Sequence, residues 1–150
     1  MKRLFLIIFA TMLVGQAWAY DFKSGDLYYT ITSSSEPYTV EVASGDYSNL
    51  TIITIPDSVS YDGDKYAVTG IGNNAFENYY SLSTITIGNL VSYIDDYAFY
   101  SCGKSTSVTI PESVTSIGSC AFNLPRNKKI FGQIPYIRIE AKNKNTRISQ

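Results

Sequence analysis

Ser83-Thr84-Ile85-Thr86-Ile87 recurs 23 residues later as Thr106-Ser107-Val108-Thr109-Ile110. Aliphatic and hydroxyl residues alternate in both runs, which predicts strands with aliphatic side chains inward and hydroxyl side chains outward. The same offset of 23 joins further apolar pairs: Val91 and Val114, Ile94 and Ile117, Ala98 and Ala121, Phe99 and Phe122, and, further upstream, Ile71, Ala75 and Phe76 with Ile94, Ala98 and Phe99. A period in the twenties is typical of a solenoid coil, whose apolar edge is buried only when neighbouring coils stack.

The residues after each strand give the repeat a family signature. Ile110-Pro111-Glu112-Ser113-Val114-Thr115-Ser116-Ile117-Gly118, followed by Ala121-Phe122, resembles the repeat of BspA-like, or treponemal-type, leucine-rich-repeat proteins, and Ser101-Cys102 matches that family's small-residue-Cys element once. The resemblance covers about Leu50 to Phe122. It implies a mainly β fold, a short right-handed leucine-rich-repeat β-solenoid with 23-residue coils and short helical turns. It also implies a secreted or surface-exposed protein of bacteria or some protists, with adhesion or protein binding as its role.

The N-terminus has the features of an export signal. Lys2-Arg3, an apolar run from Leu4 to Val14, and Ala17-Trp18-Ala19 form a charged segment, a hydrophobic segment and a cleavage site. The alternative is a buried first helix. We expect residues 1–19 to be a signal peptide cleaved after Ala19, and no membrane insertion of the mature chain, because the apolar run is too short to span a bilayer.

Residues 20–49 have a different pattern from the repeat. Asp26 to Thr32 and Tyr38 to Val42 are period-two runs separated by the turn-rich Ser33-Ser34-Ser35-Glu36-Pro37. They predict an N-terminal β-hairpin cap over the open edge of the first coil. A separate ligand-binding role is the alternative.

The first coil of the solenoid, which we assign to residues 50–122, contains an insertion. Ile53 and Ile55 precede Ile85 and Ile87 by 32 residues, nine more than the repeat. The insertion holds Asp62-Gly63 between period-two runs, which predicts a second hairpin. A calcium site at Asp62 and Asp64 is not supported, because the twelve-residue loop with its closing Glu is missing.

Asp95-Asp96 and the two cysteines are the residues closest to reactive chemistry. Asp95-Asp96 precedes Tyr97-Ala98-Phe99 and suits the N-terminus of a short helical turn, and its repeat counterparts, Gly72-Asn73 and Gly118-Ser119, carry no acid. Cys102 and Cys120 should lie about 9 Å apart between Cα atoms, beyond the roughly 7 Å limit for a disulfide. We therefore expect two free thiols, with Cys102 packed as a small apolar residue.

Composition and charge narrow the function classes. The chain has no His and no Ser/His/Asp set, so we expect neither an enzyme nor a cofactor or metal site. From Tyr20 to Phe122 there are twelve acidic and three basic residues, a net charge of −9. An acidic body argues against nucleic acid as a partner, because binding phosphates requires a basic surface.

Residues 123–150 are basic, with seven basic residues and one acidic residue. The repeat register would place the next inward residues at 131 and 133, where Phe131 matches and Gln133 does not, while Tyr136 to Glu140 suits a last strand. We interpret this segment as a degenerate or truncated tail of a longer repeat protein. A basic arm for an acidic partner is the alternative.

The expected function is non-enzymatic protein binding or adhesion at the cell surface, to a host matrix protein or another surface protein. Two alternatives remain: a non-functional truncated fragment, and a polysaccharide-binding module that uses Tyr93, Tyr97 and Tyr100. The candidate partner-binding residues are the outward strand positions and a group of tyrosines on the return path: Thr54, Thr84, Thr86, Ser107, Thr109, Tyr79, Tyr80, Tyr93, Tyr97 and Tyr100.

Overall fold

The structure is a computed structural model that describes residues 19–102, 107–122, 129–131 and 138–139, with backbone alone at Ser107 and beyond Phe122. The predicted signal peptide, apart from Ala19, lies outside the described residues. Two sheets and the turns between them make up the described residues, and the fold is mainly β. No helix that could serve as a membrane span occurs within the described ranges.

One sheet consists of the repeated alternating runs. Its strands β4 (Ile52–Thr54), β7 (Thr84–Thr86), β9 (Ser107–Thr109) and β11 (Lys129–Phe131) are all parallel, in the order β11-β9-β7-β4. Ile53 lies opposite Ile85, and Ile85 opposite Val108. These pairs are the ones that the offsets of 32 and 23 predict, so the repeat register is confirmed. We call this sheet the ladder sheet.

The second sheet is built by the return path of each repeat and by the N-terminal strands. It includes β6 (Asp64–Ile71), β8 (Tyr93–Ile94), β10 (Ser116–Ile117) and β12 (Arg138–Ile139), which pair in parallel. The short strand expected between Val114 and Ile117 is confirmed as β10. We call this sheet the return sheet.

The N-terminal strands extend the return sheet. β1 (Phe22–Ser24), β2 (Leu27–Ser33) and β3 (Thr39–Val42) pair antiparallel in order, and β3 then pairs in parallel with β6. The hairpin predicted from the two period-two runs is therefore confirmed as β2 and β3. Its apolar side chains, such as Val40 and Val42, belong to the same buried cluster as those of the repeats.

The insertion forms the second predicted hairpin. β5 (Ser58–Tyr61) pairs antiparallel with the first half of β6, and Asp62-Gly63 joins them. Both turn residues have positive φ, 50° at Asp62 and 86° at Gly63. A two-residue type I′ turn requires positive φ at both central positions, which explains Asp followed by Gly here.

The core lies between the two sheets and is filled by the repeated apolar residues. Phe76, Phe99 and Phe122 stack in one column, with ring centroids 5.2 Å and 5.1 Å apart and an interplanar angle of 12° for each pair. All three rings are buried, and Phe99 is 0% exposed. The placement of Phe99 between the other two is therefore confirmed.

The short helical turns expected after Asp95-Asp96 are wrong, since the described residues contain no helix. Backbone N–H groups in this segment donate to the next repeat, Tyr97 N to Ser119 O (3.0 Å) and Phe99 N to Ala121 O (2.8 Å). These donors are thus used between repeats rather than within a helical turn. The Asp96 carboxylate also accepts from the next repeat, at 2.5 Å from Ser119 N.

The last described pairing corrects the expected register after Phe122. Ile130 lies opposite Val108 and Ile139 opposite Ile117, an offset of 22 rather than 23. The residue in line with the inward position is therefore Ile130 and not Phe131. The expected strand between Tyr136 and Glu140 is present as β12, and it is short.

Candidate functional site: the outward face of the ladder sheet

The outward face of the ladder sheet carries four of the predicted binding residues in two rows. Ile53, Ile85 and Val108 point inward and are buried, whereas their strand neighbours Ile52, Thr54, Thr84, Thr86 and Thr109 are exposed. Alternation along a strand places all of these exposed residues on one face. The side chain of Ser107 lies outside the described ones, although its backbone pairs with Thr84.

Strand register brings these side chains side by side. Thr54 lies opposite Thr86, and Thr86 opposite Thr109, so three threonines form one row across three strands. Ile52 lies opposite Thr84 in the parallel row. Neighbouring strands are about 4.8 Å apart. The described residues of this face therefore form an uncharged surface of hydroxyl and methyl groups.

Tyr79 and Tyr80 are adjacent in sequence but differ in environment. The Tyr79 hydroxyl donates to Gly45 O at 2.5 Å, and its ring lies 5.5 Å from the Tyr47 ring. Tyr79 thereby ties the first repeat to the segment after β3. Tyr80 is 61% exposed, which leaves it accessible to a partner.

Tyr93 makes a contact between strands that the sequence did not indicate. Its hydroxyl donates to Glu41 Oε2 at 2.8 Å, from β8 to β3, with β6 between them. Gly70 of β6 pairs with both residues, and a Cβ there would lie 2.0 Å from the Tyr93 ring. Glycine at 70 therefore lets the ring cross β6. Burial, followed by the Glu41 contact, raises the pKa of Tyr93, and burial raises the pKa of Glu41.

Tyr97 and Tyr100 form a separate pair at the turn. Their rings meet edge to face, with centroids 5.3 Å apart and an angle of 66°. No ring contact among the described residues joins Tyr93 to this pair. The structure therefore divides the five candidate tyrosines among different local environments and does not assemble them into one aromatic platform.

The groups closest to reactive chemistry have structural surroundings. Cys102 and Cys120 are free thiols, as predicted. Cys102 is 0% exposed, its Sγ donates to Phe76 O at 3.0 Å, and burial raises its pKa to about 12. Within the described part of the chain, no group of three His, Cys, Asp or Glu side chains could hold a metal ion.

A groove beside β4 was missed in the sequence. It has a volume of about 500 Å³ and lies between β4, the β1–β2 turn and β5. Thr54, a predicted binding residue, lines it together with Ile52. The available signal was that Ile52–Thr54 is the first strand of the repeat ladder, so that one of its edges has no earlier repeat beside it.

Comparisons with known proteins agree with this geometry. A family model described as BspA type leucine rich repeat region matches residues 45–141 in six copies. A leucine-rich repeat protein from Bacteroides capillosus is 24% identical with a TM-score of 0.54, and the match covers 75% of this chain and 97% of that one. One from Bacteroides ovatus is 27% identical with a TM-score of 0.48, covering 75% of this chain and 37% of that one. No curated protein matches. The family match spans more than half of the sequence and agrees with the observed ladder, so this chain belongs to the BspA-type leucine-rich-repeat family.

Proposed function

We propose that this chain is an exported, non-enzymatic binding module that attaches to other proteins at the cell surface. Its repeats would form a short right-handed solenoid, and the outward face of the ladder sheet would make the contact. The observation that carries this proposal is the exposed row Thr54, Thr86 and Thr109 beside Ile52 and Thr84. Family membership supports a repeat module that binds protein.

The chemistry of this face suits a protein partner. The sequence from Tyr20 to Phe122 has a net charge of −9, yet the five described outward side chains carry no charge. The centres of protein interfaces are depleted in charged residues, because burying a charge without a partner is costly. Threonine supplies both a methyl group for packing and a hydroxyl that donates and accepts.

The size of the face limits its affinity. Four strands of three residues give a face of about 14 Å by 10 Å. A stable protein interface needs about 800 Å² from each partner. We therefore expect weak, micromolar binding by a single copy, with Tyr80 and Tyr97 at the turns adding contact area.

Surface plasmon resonance of the mature chain against immobilised host matrix proteins tests the proposal. Thr84→Glu with Thr109→Glu should lower binding to the responding protein about tenfold or more, because two charges would be buried in the contact. Ser116→Glu is a matched control, since Ser116 is exposed on the return sheet. Equal losses from both changes would mean that the outward face is not the binding surface.

Export has its own test. N-terminal sequencing of protein collected from the medium or cell surface should give Tyr20, because Ala17-Trp18-Ala19 fits a signal peptidase site. Surface material that begins at Met1 would contradict the proposed export route.

Polysaccharide binding has weaker support than protein binding. A sugar platform requires aromatic faces grouped on one surface, whereas Tyr93 lies over Gly70 and Tyr97 packs against Tyr100. A glycan array with the purified chain separates the two functions. Strong array signals that Tyr97→Ala abolishes would favour the carbohydrate alternative.

A further inference from the structure

The ladder sheet has an uncovered edge at β4. Ile55 N donates to Thr86 O at 2.9 Å, and Thr51 O accepts from Ser83 N at 2.8 Å, so odd-numbered positions of this segment face β7. In a parallel ladder, alternate residues direct their N–H and C=O groups to opposite edges. The N–H and C=O groups of Ile52 and Thr54 therefore point away from β7. They point towards the groove beside β4.

The return sheet differs at the corresponding place. There β3 pairs with β6 and supplies a strand beside the first repeat, whereas β4 pairs with β7 alone among the described strands. Proteins commonly protect such edges with charged residues, proline or a covering segment. Ile52-Ile53-Thr54 has neither a charge nor a proline, and Ile52 is 61% exposed.

The groove has the size and lining of a binding site. Its volume of about 500 Å³ lies within the range of about 300 to 1,000 Å³ that is usual for ligand sites. Leu27, Val59 and Ile53 give it apolar lining, and Ser58 and Ser60 add hydroxyl groups. The far wall is fixed in place, because the Phe22 ring of β1 stacks on the Tyr61 ring of β5 with centroids 4.1 Å apart.

We propose that the groove beside β4 receives one extended peptide segment of a partner protein, which adds a parallel strand to the ladder sheet. Its main chain would pair with the N–H and C=O groups of Ile52 and Thr54. Its side chains would alternate between aliphatic and hydroxyl residues, as in β7 and β9. An aliphatic side chain in line with Ile53 would then enter the apolar part of the groove beside Leu27 and Val59.

The structure favours a peptide over a second folded copy of this chain. The β1–β2 turn and β5 line the side of the groove opposite β4, which leaves room for one strand and obstructs the approach of another folded sheet. Two copies would also bring together acidic bodies of net charge −9 each. Asp26 lines the groove, so a neutral or basic segment is preferred.

The pattern of the segment comes from the ladder itself. Beside Ile53, the strand β7 presents Thr84-Ile85-Thr86, and beside Ile85 the strand β9 presents Ser107-Val108-Thr109. An identical spacing on the other side of β4 places an aliphatic residue next to Ile53. This site uses the edge of β4, whereas the proposed function uses the outward side chains of β7 and β9, so either can fail alone.

Fluorescence anisotropy with a synthetic probe tests the inference. The probe is a labelled hexapeptide with the sequence of residues 83–88, Ser-Thr-Ile-Thr-Ile-Gly, titrated with the mature chain. We expect saturable binding with a dissociation constant of roughly 10 to 1,000 μM, since a flexible peptide loses conformational entropy on binding. Absence of saturation up to millimolar protein would overturn the proposal.

Ile52→Pro removes the edge N–H and obstructs an added strand, so binding should fall about tenfold or more. The change leaves the β4–β7 bonds in place, because those use odd-numbered positions. Ile52→Thr is the matched control: it keeps the N–H, introduces the residue type found at Thr84, and should bind within about threefold of the unchanged chain. Equal binding by the proline variant would overturn the proposal.

A second measurement does not depend on how the variants fold. N-methylation of the probe at its first isoleucine removes the amide that would donate to Ile52 O and should abolish binding, whereas N-methylation at its second threonine should not. Equal effects at both amides would overturn strand addition. Sedimentation velocity of the chain alone covers the other occupant, and a dimer that Ile52→Pro dissociates would replace the peptide with a second copy.

Discussion

At the scale of single residues, left-handed backbone recurs at fixed repeat positions. Asn74, Tyr97 and Cys120 lie 23 residues apart with φ of 56°, 56° and 54°, and Asn78 and Ser101 form a second such set with φ of 63° and 58°. Few residues other than Gly and Asn adopt this conformation without cost. Each position has Asn in the first repeat and a less suited residue later, so the turn geometry is imposed by hydrogen bonds between repeats.

Ser101→Asn should stabilise the chain by about 0.5 to 1 kcal/mol, because Asn tolerates the left-handed conformation better than Ser. Asn78→Ser, at the matching position of the previous repeat, should destabilise it by a similar amount. Urea unfolding followed by circular dichroism measures both changes. A loss of stability in Ser101→Asn would contradict the strain assigned to this position.

At the scale of the elements, the phenylalanine column joins successive repeats. Phe99 is in contact with Phe76 on one side and Phe122 on the other, so each ring completes the core of its neighbour. A single repeat cannot bury its own apolar edge, and stability depends on these interfaces between repeats.

Phe99→Ala should cost about 3 to 5 kcal/mol, because it removes a fully buried ring and leaves a cavity between two others. The exposed change Thr86→Ala should stay within about 0.5 kcal/mol and serves as the control. The measurement is the free energy of unfolding in urea. A cost below about 1 kcal/mol for Phe99→Ala would be inconsistent with the observed stack.

The Glu41–Tyr93 contact makes the return sheet sensitive to pH. Burial raises the pKa of Glu41 above its ordinary value of 4.5, the Tyr93 hydrogen bond opposes this, and Asp95 adds to it. An acid with a raised folded-state pKa binds its proton more tightly in the folded chain, so its contribution to stability increases as pH falls and is lost as pH rises through the folded pKa.

Glu41→Gln keeps an acceptor for the Tyr93 hydroxyl and removes the charge. Thermal midpoints measured at pH 7.5 and at pH 4.5 should therefore show the variant gaining on the unchanged chain at the higher pH, with a smaller difference at the lower pH. A difference that grows as pH falls would indicate that the Glu41 pKa is lowered instead. Asp95→Asn at the same two pH values tests the neighbouring acid, whose pKa burial also raises.

At the scale of the whole molecule, a small uncharged face lies on an acidic chain. The ladder sheet has four described strands, too few for a standard interface, so tight attachment requires several copies or longer arrays. The net charge of −9 between Tyr20 and Phe122 disfavours association between copies that are not linked.

Two copies joined by a flexible Gly/Ser linker should bind a surface coated with the partner about 10²-fold more tightly than one copy, through effective concentration alone. The control carries the same linker with Thr84→Glu and Thr109→Glu in one copy, and its affinity should return to that of the single chain. A single copy that already binds with nanomolar affinity would contradict the area limit.

The sequence alone determined the features that depend on short-range pattern. The offset of 23 predicted the pairing of Ile85 with Val108 and the column through Phe99, because every stacked repeat must present the same apolar positions to its neighbour. Alternation in residues 26–42 predicted the first hairpin, and Asp62-Gly63 predicted the second, because its turn requires positive φ. The spacing of Cys102 and Cys120 predicted two free thiols.

Only the tertiary structure decided the features that depend on which segments become neighbours. Backbone N–H groups at Tyr97 and Phe99 bond to the next repeat and not to their own turn, so a sequence that suits a helical turn forms none. Glu41 and Tyr93 are 52 residues apart and meet across Gly70. The open edge of β4 likewise follows from where β3 pairs. Periodicity specifies how each repeat packs on the next, whereas the contacts at the first repeat depend on non-repeating segments, whose positions are set by the folded chain.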